Sequence, residues 1–346
     1  MTHPVPQPSV RVSLTDVARR AGVSPATVSR AFNRPELLNT ATLERIIATA
    51  QTLGFRPNRL GSSLRSGSTK TLGLLLPTMA NPVFAACFEG AERCARRAGY
   101  SVMLTTTGYE YAREIEGVRE LIDHRVEGLI LTVGNPGASE TLAELAGAEL
   151  PFVLAYNESA DYPFVSIDNA TAAGDMVEHL ATLGHRHLAF LSGPLEDSDR
   201  AAARLEGVYR RARKLSLPTP RHVAVDHHTA ADARRLTELM GAHQAPDAIF
   251  CSNDLLAASV ISTLATLGCS VPGDVSVAGF DGTDFASLTV PSIASVYQPS
   301  REIGHYACES LLAALGGGVP ASHSLSHRLA GGQSLACLLP PSSQEV

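Results

Sequence analysis

Two sets of side chains in this 346-residue chain have the types and spacing to do chemistry. The first lies in the run from Ser24 to Asn33. Wound as a helix, that run turns Val28, Ala31 and Phe32 to one apolar face and leaves Pro25, Ala26, Thr27, Ser29, Arg30 and Asn33 on or near the other. The second set is Asn81, Asn157, Asp168, Asn253 and Asp281, each at or just beyond the carboxyl end of a short apolar run. In folds built from parallel strands, ligands sit beyond those ends. Both sets are suited to binding. The phosphate-cradling and nucleophile patterns GxGxxG after a strand, GxxxxGK[ST], GxSxG and HExxH are missing from the chain, so catalysis is not expected.

The elements around the first set form a basic head. Residues 1–70 carry ten Lys and Arg against three Asp and Glu, a net of +7, and the other 276 residues carry 18 against 31, a net of −13. A cationic head on an anionic body points to a polyanionic partner, most often nucleic acid. Ser13 and Asp16 open a first helix with Leu14, Val17, Ala18 and Ala21 as its apolar stripe, and Gly22 ends it. Ser24 caps the second helix with Pro25 at its first position. A third runs from about Asn39 or Thr40 to Leu53, with Ile46, Ile47, Ala50 and Leu53 inward and Gly54 as its stop. Three short helices with a tight Gly-containing turn match the helix-turn-helix, whose second helix enters the DNA major groove. A short helix is also predicted over Asn58–Arg65, too short to be stable in water alone.

From Thr71 onward, apolar strands alternate with longer helical segments, the pattern of parallel sheets with helices on both faces. The fold class is therefore α/β: an all-α helix-turn-helix domain followed by a body of parallel sheets flanked by helices. No apolar run reaches 18 residues, so no membrane helix is expected. The opening MTHPVPQPSVRVS holds no apolar signal-peptide core and reads as a disordered lead over residues 1–12, which places the chain in the cytoplasm. The six cysteines include no CxxC pair and read as ordinary core thiols. His185 with His187, and His323 with His327, carry no metal reading, and no cofactor is expected.

LTDVARRAGVSPATVSRAFN, followed by LGFRPNRLGSSLRSGSTKTLGLLLP, closely resembles the lactose-repressor (LacI/GalR) family of bacterial transcription regulators. The likeness continues through NPVFAACFEGAERCARRAGY, HRVEGLILT, VSIDN, LGHRHLAFLSGP, CSNDLLAASVI and VSVAGFDGTDFA, over about residues 13–335. The resemblance implies that Pro25, Ala26 and Arg30 face base edges. Pro25 and Ala26 can offer only apolar contact there, for instance to thymine methyls. Thr15, Ser24, Thr27, Asn33, Asn39 and Thr42 fall where phosphate contacts or caps are expected, which position the protein without reading sequence. Asn58 to Arg65, with Arg59, matches the family's hinge helix, and Leu64 the leucine wedged into the minor groove. Gly61 departs from the usual alanine and costs a helix interior about 0.5–1 kcal/mol.

The resemblance further implies a body like the periplasmic sugar-binding proteins, with an effector between two lobes. These would be about 71–160 with 299–320, and about 161–298 with 321–340, after a helix-turn-helix at 13–57 and a hinge at 58–70. Asn81, Val83 and Phe84 from the first lobe, and Tyr156, Arg204, His228, Asn253 and Asp281, would surround the effector. Two alternatives stay open: Asn253 can instead cap the helix that follows it, and Asp281 can belong to the Asp-Gly turn. Ala155-Tyr156-Asn157 stands where relatives often read Val-Asp-Arg, which removes an acceptor of sugar hydroxyls, and Arg200 adds a cation near the mouth. The effector class expected is a sugar, sugar phosphate, nucleobase or similar small molecule, shifted by these departures away from neutral sugars. The function implied is a ligand-controlled, sequence-specific DNA-binding regulator, a repressor, acting as a homodimer on a near-palindromic operator, with no membrane partner. A transport solute-binding protein is opposed by the basic head, and an α/β enzyme by the missing phosphate loops.

Overall fold

The computed structural model describes residues 12–55 and 68–339. Residues 1–11 of the expected 1–12 lead, and Asn58, Arg59, Gly61, Leu64 and Arg65 of the hinge segment, lie outside the described residues. The chain divides into two compact units, Met1–Thr69 and Lys70–Val346.

The first unit is a bundle of α1 (Leu14–Ala21), α2 (Pro25–Asn33) and α3 (Thr40–Leu53). Local chemistry sets every boundary. Ser13 and Asp16 form a reciprocal capping box at the start of α1. Gly22 leaves it at φ 67°, a left-handed turn that lets α2 begin three residues later. Ser24 and Asn39 accept the Thr27 and Thr42 amides as N-caps. Val17, Ala18, Ala21, Val28, Ala31, Ile46 and Ala50 make the core. Ile47, expected inward, is only half-buried and outside that core, and Leu43 packs against it instead.

The second unit holds two six-stranded sheets. The first is ordered β11-β5-β4-β3-β1-β2, from β1 (Thr71–Leu76), β2 (Ser101–Thr106), β3 (Leu129–Leu131), β4 (Phe152–Ala155), β5 (Phe164–Ile167) and β11 (His323–Leu325). The second is ordered β12-β10-β9-β8-β6-β7, from β6 (Leu188–Ser192), β7 (Arg221–Ala224), β8 (Ala248–Cys251), β9 (Ser276–Asp281), β10 (Ala294–Tyr297) and β12 (Arg328–Ala330). All pairings are parallel except β10 with β12. Helices α4 (Pro82–Arg97), α5 (Tyr111–Asp123), α6 (Glu140–Gly147) and α12 (Ser300–Leu315) serve the first sheet. Helices α7 (Asn169–Thr182), α8 (Asp199–Lys214), α9 (Ala233–Met240), α10 (Asp254–Thr266) and α11 (Asp284–Leu288) serve the second.

The chain passes between lobes at 168, 298–299 and 326–327. The first and third crossings fall a few residues beyond the 160 and 320 expected, because β5 and the short β11 both pair within the first sheet. Helix α9 is short because Asp232 caps Arg234 and Arg235 at its start and Gly241 follows its end. Among the described residues no helix is long and apolar enough to cross a membrane.

Helices α4 and α12 lie in close backbone contact through Gly90 and Gly304. A Cβ on Gly304 would sit 1.9 Å from the Cys87 carbonyl oxygen, so only glycine permits this approach. Gly304→Ala must separate the two helices and should cost about 1–3 kcal/mol. A urea midpoint equal to the parent's would mean that the helices are not so closely apposed.

Candidate functional site

The carboxyl ends of both sheets face one small cavity in the second unit. Its lining includes all eight residues expected at the effector site: Asn81, Val83, Phe84, Tyr156, Arg204, His228, Asn253 and Asp281. Tyr109, Ser198, Arg200, Ala201, Ser252 and Gln298 complete it. The cavity volume is about 30 Å³, room for one or two waters and too small for a sugar ring.

Asp281 is the electrostatic centre. It ends β9 and is 4% exposed. The Asn81 amide donates to its Oδ2 at 2.9 Å, and the Gln298 amide donates to its Oδ1 at 2.7 Å. The Arg204 guanidinium lies 3.8 Å away. Arg204 projects from α8, donates to Asn169 Oδ1 at 2.9 Å and to the Ser252 carbonyl, and lies 3.6 Å above the Phe280 ring. Burial pushes the Asp281 carboxyl up and the Arg204 guanidinium down to about 10, and each is opposed by the other's charge. Arg204 therefore remains charged at neutral pH.

Several contacts join the lobes here. Besides Asn81 to Asp281, Asn157 donates to Asp199 Oδ1 at 2.8 Å, Arg200 donates to the Val133 carbonyl at 2.8 Å, and the Asp199 amide donates to the Gly134 carbonyl at 2.7 Å. Tyr109 of the first lobe stacks on His228 of the second, with centroids 3.8 Å apart and planes 19° apart. Tyr109, Tyr156 and Asp281 all have φ between 67° and 105°, and such strained backbone collects at sites of function.

Not every expected residue presents its polar group to the cavity. Asn253 caps α10 through the Leu256 amide and donates to the His228 carbonyl, so the capping alternative holds for it. Tyr156 packs edge-on against Phe84, and its hydroxyl donates to the Val83 carbonyl at 2.8 Å. Its ring shapes the wall, and the replaced acceptor is not restored. Asp168 is the N-cap of α7, and Asn157 works in the interlobe ties outside the cavity lining. Sequence reasoning missed Tyr109 and Gln298. Tyr109 follows the carboxyl end of β2 and Gln298 sits at a crossing, so both places were visible although the side chains were not singled out.

In the first unit, Pro25, Ala26 and Arg30 of α2 are exposed, as are Thr15, Asn33 and Asn39; Thr27 and Thr42 are half-buried. The side-chain oxygens of Ser24 and Asn39 serve as caps, and the Asn33 amide donates to the Ser29 carbonyl. Among the described residues no group of His, Cys, Asp and Glu is placed to hold a metal. His327 pairs with Asp175, and His185 lies between Asp247 and the Ala336 carbonyl.

Residues 13–58 match the bacterial regulatory proteins of the lacI family, and residues 177–335 a periplasmic binding protein-like domain. Catabolite control protein A of Priestia megaterium is 32% identical over 306 residues, spanning 87% of this chain and 92% of that protein. This chain belongs to the LacI family. The HTH-type transcriptional regulator GntR of Escherichia coli strain K12 is 32% identical over 311 residues, 89% of this chain and 93% of its own. The lac repressor dimer bound to operator and the anti-inducer ONPF superposes with a TM-score of 0.83 at 26% identity, over 94% of this chain and 100% of that one. The chain is thus a LacI-family DNA-binding transcription regulator, and the relatives named here are regulators rather than enzymes.

His228 makes the closed cavity sensitive to acid. Burial, reinforced by the Arg200 charge, pushes the imidazole from 6.5 down to about 4. Between those values the unfolded chain binds a proton that the folded one refuses, so stability falls as pH drops from about 6.5 toward 4. The full effect is about 3 kcal/mol. His228→Gln should flatten the difference between urea midpoints at pH 7.5 and 4.5, and equal pH dependence in both proteins would show that His228 is not responsible.

Proposed function

We propose that this regulator binds a near-palindromic operator as a homodimer in the cytoplasm, acts as a repressor, and changes its operator affinity when a small molecule occupies the interlobe cavity. The observation that carries the proposal is the ring of donors drawn from both lobes onto Asp281. A ligand that enters between Asn81 and Asp281 must replace their bond with its own, and so binds one arrangement of the lobes better than the other. That difference is what any ligand needs to shift an equilibrium. The lac repressor has been captured as a dimer on operator with an anti-inducer, and the shared fold supports the same division of labour here. The Asp281 carboxylate favours binding over catalysis, since each of its oxygens is already held by a donor.

On the DNA side, α2 supplies direct readout. Pro25 and Ala26 offer apolar contact, and Arg30 is the charged donor among the three. Thr15, Ser24, Thr27, Asn33, Asn39 and Thr42 serve position, as caps or toward phosphates. Contacts to phosphates make affinity fall steeply with salt. Arg30→Ala should weaken binding to a selected operator by about 1–3 kcal/mol and relax preference at one base position. Mobility shifts across a library of operator variants read both effects. Equal losses at every site would reassign Arg30 to the phosphates, and a complex insensitive to salt would oppose DNA recognition by this head.

A further inference from the structure

Arg200 and Arg204 lie four residues apart on α8, on the same face, and are 5% and 6% exposed. Like charges at that spacing repel, and burial intensifies the repulsion. The structure compensates them unevenly. Arg204 has Asp281, and Arg200 shares Nη1 between Asp199 Oδ1 and the Val133 carbonyl. Arg200 Nε and Nη2 and Arg204 Nη2 have no hydrogen-bond partner among the described residues. Both guanidiniums line the cavity.

The acceptors around them each already hold a donor. Both Asp281 oxygens hold amide donors, Asn81 Oδ1 takes the Val83 amide, and Asn253 Oδ1 takes the Leu256 amide. The Tyr156 hydroxyl already donates to the Val83 carbonyl. His228 Nε2 is buried with no hydrogen-bond partner, 3.8 Å from Asp197. The cavity therefore sets guanidinium N–H groups without partners beside oxygens that each already hold a donor, an arrangement that favours a ligand bringing its own strong acceptor.

We propose that the effector carries an oxyanion, a carboxylate or a phosphate, which docks between the guanidiniums of Arg200 and Arg204. This deepens the reading of the cavity as the effector site and rests on it. Guanidinium forks match the planar geometry of such groups. The cavity of about 30 Å³ has room for one or two waters, a place that a small anionic group can take over. The rest of the ligand enters as the lobes part.

The test uses the full chain at constant ionic strength. Thermal shift and calorimetry are run with inorganic phosphate, acetate, D-glucose 6-phosphate, D-gluconate and neutral D-glucose against wild type, Arg200→Gln and Arg200→Lys. At least one oxyanion probe should bind wild type, the phosphate and acetate arms identifying the headgroup. Arg200→Gln should weaken it by about tenfold or more, and Arg200→Lys, which keeps the charge, should weaken it less. The proposal is overturned if no oxyanion probe binds wild type, if binding is unchanged in Arg200→Gln, or if only glucose binds. Operator binding is measured on the same samples. A neutral ligand that alters it would sink the oxyanion and keep the regulator, whereas absent operator binding would sink the regulator itself.

Discussion

A carboxylate as deeply buried as that of Asp281 must be surrounded by donors, and Asp281 draws its donors from three separate segments. Asn81 comes from the turn before α4, Gln298 from a crossing between lobes, and Arg204 from α8. Arg204 is itself fixed by Asn169, the Ser252 carbonyl and the Phe280 face. A buried pair of this kind contributes little net stability beside well-packed apolar residues, but breaking it leaves a charge uncompensated. The arrangement therefore specifies geometry more than it adds strength. It permits one relation between the lobes and penalises those in which any partner withdraws.

The second tie, through Asp199 and Arg200, reinforces this. Asp199 begins α8 and Arg200 follows it, so one helix terminus carries both halves of the interlobe contact with Asn157, Val133 and Gly134. Arg204 lies one turn further along the same helix. Displacement of α8 must disturb the Asp281 ring and the Asp199 tie together, which makes the closed state discrete rather than continuously deformable.

The helix-turn-helix was legible almost to the residue because its boundaries follow local rules: Ser13 with Asp16, Ser24 with Pro25, Asn39, and left-handed glycines at 22 and 54. Arg204 was legible only through a motif matched to a family, Asp281 also through its place at the end of an apolar run, and what either side chain does was not legible at all. Asn81 meets Asp281 across 200 residues of sequence, and no periodicity reports such a contact. The stack of Tyr109 on His228 was hidden for the same reason. Asn253 shows the opposite case, where the local capping rule described the residue better than the family role did. Strands β11 and β12 are three-residue edges with mixed exposure, too short for an alternation to show, and that displaced the third crossing in the sequence reading.

The size of the interlobe ties sets what an effector must supply. Among the described residues, the hydrogen bonds that cross between lobes around the cavity include Asn81 to Asp281, Asn157 to Asp199, Arg200 to Val133, and Asp199 to Gly134. Three of these involve a charged group, at about 1.5–3 kcal/mol each, and the fourth joins two backbone groups at about 0.5–1.5, so together they amount to roughly 5–10 kcal/mol, and the Tyr109–His228 stack adds about 0.5–1.5. Turning a two-state equilibrium from 1:99 to 99:1 takes about 5.5 kcal/mol of differential affinity. The ties are thus of the order that one small ligand can overcome. They are also too large for thermal motion to leave the open arrangement heavily populated. A single oxyanion meeting two half-compensated guanidiniums would bring charged hydrogen bonds of about 1.5–3 kcal/mol each, the scale needed to replace what lobe opening removes. The same helix that closes the cleft is therefore the one best placed to reward its opening.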